Sequence, residues 1–164
     1  NVVINLLRSV PFLILMIIFI PLSRAIVGTS IGTVASIVPL VIASFPFVSR
    51  LVETSMREVD AGVIEAAQSM GATPLQIITK VMVPESMPSL VANVTIAATT
   101  IMGYGAMAGI IGGGGLGKIA INYGYYRFNV VLEFFATALL VVLVQILQTF
   151  GTKLAIKCDK RIQK

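Results

Sequence analysis

Residues 112–118 read GGGGLGK, and two phosphate-binding spacings fit them at once. Gly112, Gly114 and Gly117 satisfy G-x-G-x-x-G, while Gly112, Gly117 and Lys118 satisfy the G-x-x-x-x-G-K core of a P-loop. In that motif backbone N–H groups cradle phosphates, which requires a buried strand before the glycines, a Ser or Thr after the lysine for Mg²⁺, and access to cytosolic nucleotide. Ile119 stands where the hydroxyl belongs. Elsewhere the chemical repertoire is thin. The chain has no histidine, which removes Ser-His-Asp and Cys-His catalysis and the commonest zinc ligand. Its one cysteine, Cys158, excludes an internal disulfide and any multi-cysteine metal site. These counts argue against an enzyme and against a metal centre.

The elements that carry these residues are apolar. The 164 residues are 57% hydrophobic and 12% charged, with a mean hydropathy of +0.97, far beyond an ordinary soluble domain. The charges cluster, leaving uncharged runs of 15 residues after Arg8, 25 after Arg24, 32 after Glu85 and 19 after Glu133. A helix needs about 20 residues to cross the roughly 30 Å hydrocarbon core. Four membrane helices are therefore expected, over residues 2–22, 31–56, 86–111 and 129–152. The first is completed by uncharged Val2 to Leu7, with Arg8 snorkelling to a headgroup layer. Pro39 and Pro46 should bend the second, which directs it toward protein or a cavity because the freed carbonyls need partners.

Four spans put both ends on one side, and charge chooses the side. Nine of the twelve basic residues (Arg8, Arg50, Arg57, Lys80, Lys153, Lys157, Lys160, Arg161 and Lys164) lie toward it, against Arg24, Lys118 and Arg127 opposite. The positive-inside rule makes the nine cytoplasmic. The connection 57–85 and the basic tail 153–164 are then cytoplasmic, and the glycine-rich loop 112–128 is external. An external loop after a membrane helix meets no cytosolic nucleotide, so the phosphate reading falls. The net charge of +5 follows from orientation rather than from nucleic-acid binding, since no basic stripe is interleaved with exposed aromatics.

The connection 57–85 is polar yet patterned. Asp60 is an N-cap candidate, and Val63, Ile64, Ala67 and Met70 recur at helical spacing until Gly71. A second short helix starts with Pro74 at its first position and buries Leu75, Ile78 and Val81, before Pro84 and Pro88 punctuate the entry into the third span. Within this hairpin Glu65-Ala66-Ala67, Gly71 and Val81-Met82-Val83-Pro84 resemble the loop motif of bacterial ABC importer permeases, E-A-A-x-x-x-G, nine residues, then I-x-L-P. Val81 and Val83 are the two departures, both conservative. The resemblance implies a coupling helix seated on a partner ATPase. Glu65 would pair with a partner donor, Ala66 and Ala67 would permit close approach, and Gly71 would make the left-handed turn.

The likeness extends over nearly the whole chain to the permeases of D/L-methionine importers, through RSVPFLILMIIFIPLSRAIVGTSIGTVASIVPL, VETSMREVDAGVIEAAQSMGATPLQIITKVMVPESMPSLV and GGGGLGKIAINYGY. It implies an all-α, polytopic helical bundle of the inner membrane, residues 1–164 forming one transmembrane domain. Four of the family's five helices would be present; the start at Asn1 without Met fits a missing N-terminal helix. It further implies a homodimer surrounded by lipid, two ATP-binding subunits that hold the ATP and Mg, a lipoprotein-type substrate-binding protein, and methionine as cargo. No cofactor would sit on this chain.

Other residues keep two readings. Tyr104 and Met107, among Gly103, Gly105 and Gly109, either line the pathway as an aromatic ring and a soft thioether or fill a dimer seam. Asn93, Thr95, Thr99 and Thr100 either line a polar path or bond between helices. Glu133 is stabilised by the dipole at a helix start, or binds an ammonium or proton. Gly112, Gly114, Gly115 and Gly117 form a hinge-like external turn that meets the binding protein. The alternatives for the whole chain are a permease of the same fold for another amino acid or a methionine derivative, or a carrier that needs no ATPase. The carrier would call for paired intramembrane carboxylates, and Glu133 is alone.

Overall fold

The structure is a computed structural model and describes residues 9–159. Arg8, Lys160, Arg161 and Lys164, and the start of the first expected span, lie outside the described residues. No strand occurs among the described residues, which is the all-α outcome the apolar periodicity demands. Among the described residues three helices are long and apolar enough to cross a membrane: Thr33–Arg57, Pro74–Ile111 and Val130–Cys158.

The described part of the first expected span is two short helices, α1 (Phe12–Ile18) and α2 (Ile20–Val27). Pro21, in the first turn of α2, has no N–H to continue the ladder of α1, so the chain breaks at Phe19. Gly28 closes α2 in the left-handed region at φ 83°. Helix α3 (Thr33–Arg57) contains Pro39 and Pro46, both fully buried, so its proline face is turned to protein as expected. Its last turns carry an exposed ladder in which Glu53 bridges Arg50 at 2.6 Å and Arg57 at 2.8 Å.

After the short α4 (Ala61–Ser69), α5 runs from Pro74 to Ile111, opening with a π turn over Ile77–Met82 and closing with a 3-10 turn over Ala108–Ile111. This corrects the expected punctuation at Pro84 and Pro88. Both prolines lie inside one continuous helix, because the wider π bonding, with Val83 N–H donating to the Ile78 carbonyl, absorbs the register change just before Pro84. At about 1.5 Å per residue its 38 residues are far longer than a bilayer core is thick, so one end must stand clear of it. A further helical stretch follows, α6 (Leu116–Lys118) with a π turn Ile119–Gly124 and a 3-10 turn Tyr125–Arg127. Helix α7 (Val130–Cys158) begins at Asn129, whose side-chain oxygen accepts from Leu132 N–H at 3.2 Å. Phe134, Phe135, Ile146 and Phe150 of α7 are all exposed, as on a helix that meets lipid or another chain rather than water.

The described residues form two compact units. One holds residues up to Phe47 with Ala98–Leu147, the other Val48–Ala97 with the described residues from Gln148. The long helices contribute to both.

Candidate functional site: the 57–85 hairpin

Asp60 caps α4 as expected, its carboxylate accepting from Gly62 N–H at 2.7 Å. The other end is closed by Gly71 at φ 78°, with Gly71 N–H donating to the Gln68 carbonyl at 2.9 Å and Ala72 N–H to the Ala67 carbonyl at 3.1 Å. Two residues later Thr73 and Gln76 form a reciprocal capping box, Thr73 N–H to Gln76 Oε1 at 2.9 Å and Gln76 N–H to Thr73 Oγ1 at 3.4 Å. The N–H groups of Met70, Gly71, Ala72, Thr73 and Gln76 at this corner are all paired locally. The hairpin is therefore a shaped protrusion rather than a linker.

Its inward face is narrower than helical spacing suggests. Val59, Ala67 and Ile77 are buried, whereas Val63, Met70, Leu75 and Ile78 are exposed, Met70 by 83% and Leu75 by 71%. The expected burial of Leu75 and Ile78 is thus corrected: the π turn shifts the helical phase and hands the inward position to Ile77. Glu65 and Ala66 lie on the exposed face, Ala67 on the buried one, while Val81 is half-buried and Pro84 exposed. Val63, Ala66 and Met70, at helical spacing, make an uncovered apolar stripe beside the Glu65 carboxylate. Such a stripe on a capped, rigid hairpin is suited to insertion into a partner's groove.

In the same unit Asn93 Nδ2 donates to Ser55 Oγ at 2.7 Å and to the Leu51 carbonyl at 3.3 Å, joining α5 to α3. Thr95 Oγ1 donates to the Val91 carbonyl at 2.8 Å. A Cβ on Gly151 of α7 would run into the Thr95 side chain, so the glycine sets a close crossing of α5 and α7. Of the four polar α5 residues with two readings, Asn93 bonds between helices and Thr95 along its own helix. Sequence spacing did not point to Ser55 as the partner of Asn93, because a contact across 38 residues leaves no periodic trace.

In the other unit the Tyr104 ring stacks on Phe12 of α1, with centroids 4.1 Å apart and planes 10° from parallel. Met107 is exposed, and added Cβ atoms at Gly103 and Gly105 would meet nothing within 4 Å. These two glycines therefore mark an open face of α5 rather than a seam within the chain.

The glycine-rich stretch behaves differently from a hinge. A Cβ on Gly113 would lie 2.7 Å from the Ala108 carbonyl oxygen, one on Gly109 2.6 Å from Lys118 N, and one on Gly112 2.6 Å from Ile31 Cγ2. Gly114 abuts Thr33 Oγ1, and Gly117 is pressed on the Ala106 carbonyl. Gly112 and Gly115 also take left-handed φ values of 89° and 85°. The run folds back on the end of α5 and against the start of α3, and Gly113 N–H donates to the Ala108 carbonyl at 2.9 Å. Packing, not phosphate, consumes these glycines. A Cβ on Gly124 would likewise lie 2.8 Å from Glu133 Cβ, in the first turn of α7.

A profile of the family described as "Binding-protein-dependent transport system inner membrane component" matches residues 1–154. The chain is similar to the probable D-methionine transport system permease protein MetI of Vibrio cholerae serotype O1, 53% identical over 159 residues that span 97% of this chain and 71% of that protein. It is similar to the methionine import system permease protein MetP of Bacillus subtilis, 47% identical over 97% of this chain and 72% of that one. A solved structure of inward-facing conformations of the MetNI methionine ABC transporter superposes with a TM-score of 0.94 at 45% identity, over 97% of this chain and 74% of that chain.

Proposed function

Since the chain belongs to the family of binding-protein-dependent transport system inner membrane components, we propose that its 57–85 hairpin is where an ATP-binding partner drives it. The chain is a multi-pass inner-membrane permease of a methionine ABC importer, a reading carried by the methionine permeases it resembles over nearly its whole length. The observation that supports the coupling role is the exposed stripe Val63, Ala66 and Met70 beside Glu65, on a hairpin rigidified by Asp60, Gly71 and the Thr73–Gln76 box. Apolar residues uncovered outside a bilayer-length span call for a protein partner.

In this reading ATP and Mg are bound and ATP is hydrolysed on two partner subunits, and the permease acts as a homodimer in lipid. A lipoprotein-type binding protein delivers D- or L-methionine to the external face, where Gly112, Gly114, Gly115 and Gly117 hold a compact packed surface. Met107, on the open face of α5, and Tyr104, stacked on Phe12 of α1, line the path or its gate. The 57–85 hairpin and the C-terminus are cytoplasmic, in keeping with the positive-inside count.

Substrate identity is checked by uptake of labelled D- and L-methionine in cells deprived of this subunit. Expression of the intact subunit should restore both, and restoration of neither would remove the methionine assignment. Topology has its own measurement. In a Cys158→Ser background Lys118→Cys should react in whole cells with an impermeant thiol reagent, while Gln68→Cys should react only after permeabilisation; the reverse pattern would invert the orientation.

A further inference from the structure

The roots of the hairpin are tied by a polar network centred on the buried Ser55 hydroxyl. Ser55 of α3 is fully buried, and its hydroxyl uses its one donor and both acceptor positions. It donates to the Leu51 carbonyl at 3.2 Å and accepts from Asn93 Nδ2 at 2.7 Å and Ser89 Oγ at 3.2 Å. Asn93 Nδ2 reaches the Leu51 carbonyl as well, at 3.3 Å. Nearer the hairpin, buried Ser86 donates to the Met82 carbonyl at 2.7 Å and lies 3.5 Å from Met56 Sδ. An apolar contact would hold α3 and α5 together in several registers. Hydrogen bonds converging on one buried, fully satisfied hydroxyl hold one.

We propose that Ser55, Ser89 and Asn93 are positioning residues for transport, locking the last turns of α3 to the part of α5 that follows the hairpin so that both helices move with it as one body. The proposal deepens the coupling reading and rests on it. Its consequence for Asn93 is a role in transmission, not in lining the pathway. Without the lock, a push on the hairpin is absorbed by sliding between its two roots.

The test uses the transporter reconstituted with its ATP-binding subunits, measuring methionine uptake and ATP hydrolysis in the same vesicles. Asn93→Ala and Ser55→Ala should leave assembly and hydrolysis near normal and lower methionine moved per ATP by at least about fivefold, the lower range of an allosteric coupling. Ser55→Cys with Asn93→Cys, in the Cys158→Ser background, should be uncoupled when reduced and recover its ratio once the pair is cross-linked. A pathway-lining Asn93 would instead raise the KM for methionine at an unchanged ratio, and that result overturns the proposal. Arrest of transport by the cross-link also overturns it, since the two roots would then have to separate in the cycle. Gly71→Val separates the two layers. If it uncouples transport and Asn93→Ala does not, only the lock fails; if Gly71→Val stays coupled, the coupling reading itself fails.

Discussion

Gly117→Ala is expected to strip most of the folded protein from the membrane, although it adds one methyl group. That methyl would sit inside contact distance of the Ala106 carbonyl oxygen, and 2.6 Å from both the carbonyl carbon and Cα of Ala106. The opposing atoms are helical backbone of α5, which cannot swing aside as a side chain can. Overpacking of this kind costs about 1–3 kcal/mol even where side chains can yield, and each 1.4 kcal/mol or so is tenfold in a population. The control lies in the same chain. Gly103→Ala and Gly105→Ala face open space at ordinary φ and should accumulate and melt like the parent. Quantitative blotting of membranes and a thermal melt in detergent distinguish the three. Equal behaviour of all three would mean that the glycine run is not the packed clasp described.

Gly71→Val is expected to leave the protein in the membrane and remove at least about nine-tenths of its transport, since a non-glycine residue in the left-handed region costs about 1–2 kcal/mol. Gly71 has φ 78°, and an added Cβ would touch nothing within 4 Å. The penalty is therefore entirely one of backbone conformation. It is relieved by reorienting α4 against the start of α5, the geometry a partner's groove would read. Asn tolerates the left-handed region better than valine, so transport should rank Gly above Asn above Val at position 71, with ATP hydrolysis retained in the assembled transporter. Transport by Gly71→Val at the parental rate would rule out the hairpin as the coupling element.

How far the sequence alone reaches differs by residue. Asp60 as a cap and Gly71 as a left-handed terminator are legible because capping is local: one side chain and one φ angle decide it. The apolar spans around Pro39 and Pro46 and in Val130–Cys158 are legible because length and hydropathy suffice. The family was legible through the loop motif around Glu65, and the family profile matches residues 1–154. Pro84 misled, because a proline that usually interrupts a helix here follows a π turn, and nothing in its neighbours announces i→i−5 bonding. Leu75 and Ile78 misled for the same cause, since one residue of phase exchanges which side chain faces inward.

The amino-acid order by itself determined the solvent, the helical class, the caps and the family, all of which follow from composition, short-range spacing or a contiguous motif. Tertiary structure decided what the glycines and the polar residues do. Gly103 and Gly117 are the same residue on one continuous stretch of sequence, yet the first faces open space and the second is pinned to the Ala106 backbone. Ser55 and Asn93 become one hydrogen-bonded unit only because a capped hairpin returns the chain and brings α5 back beside α3. Contacts between distant residues depend on where the chain returns in space, and no local energy term encodes that.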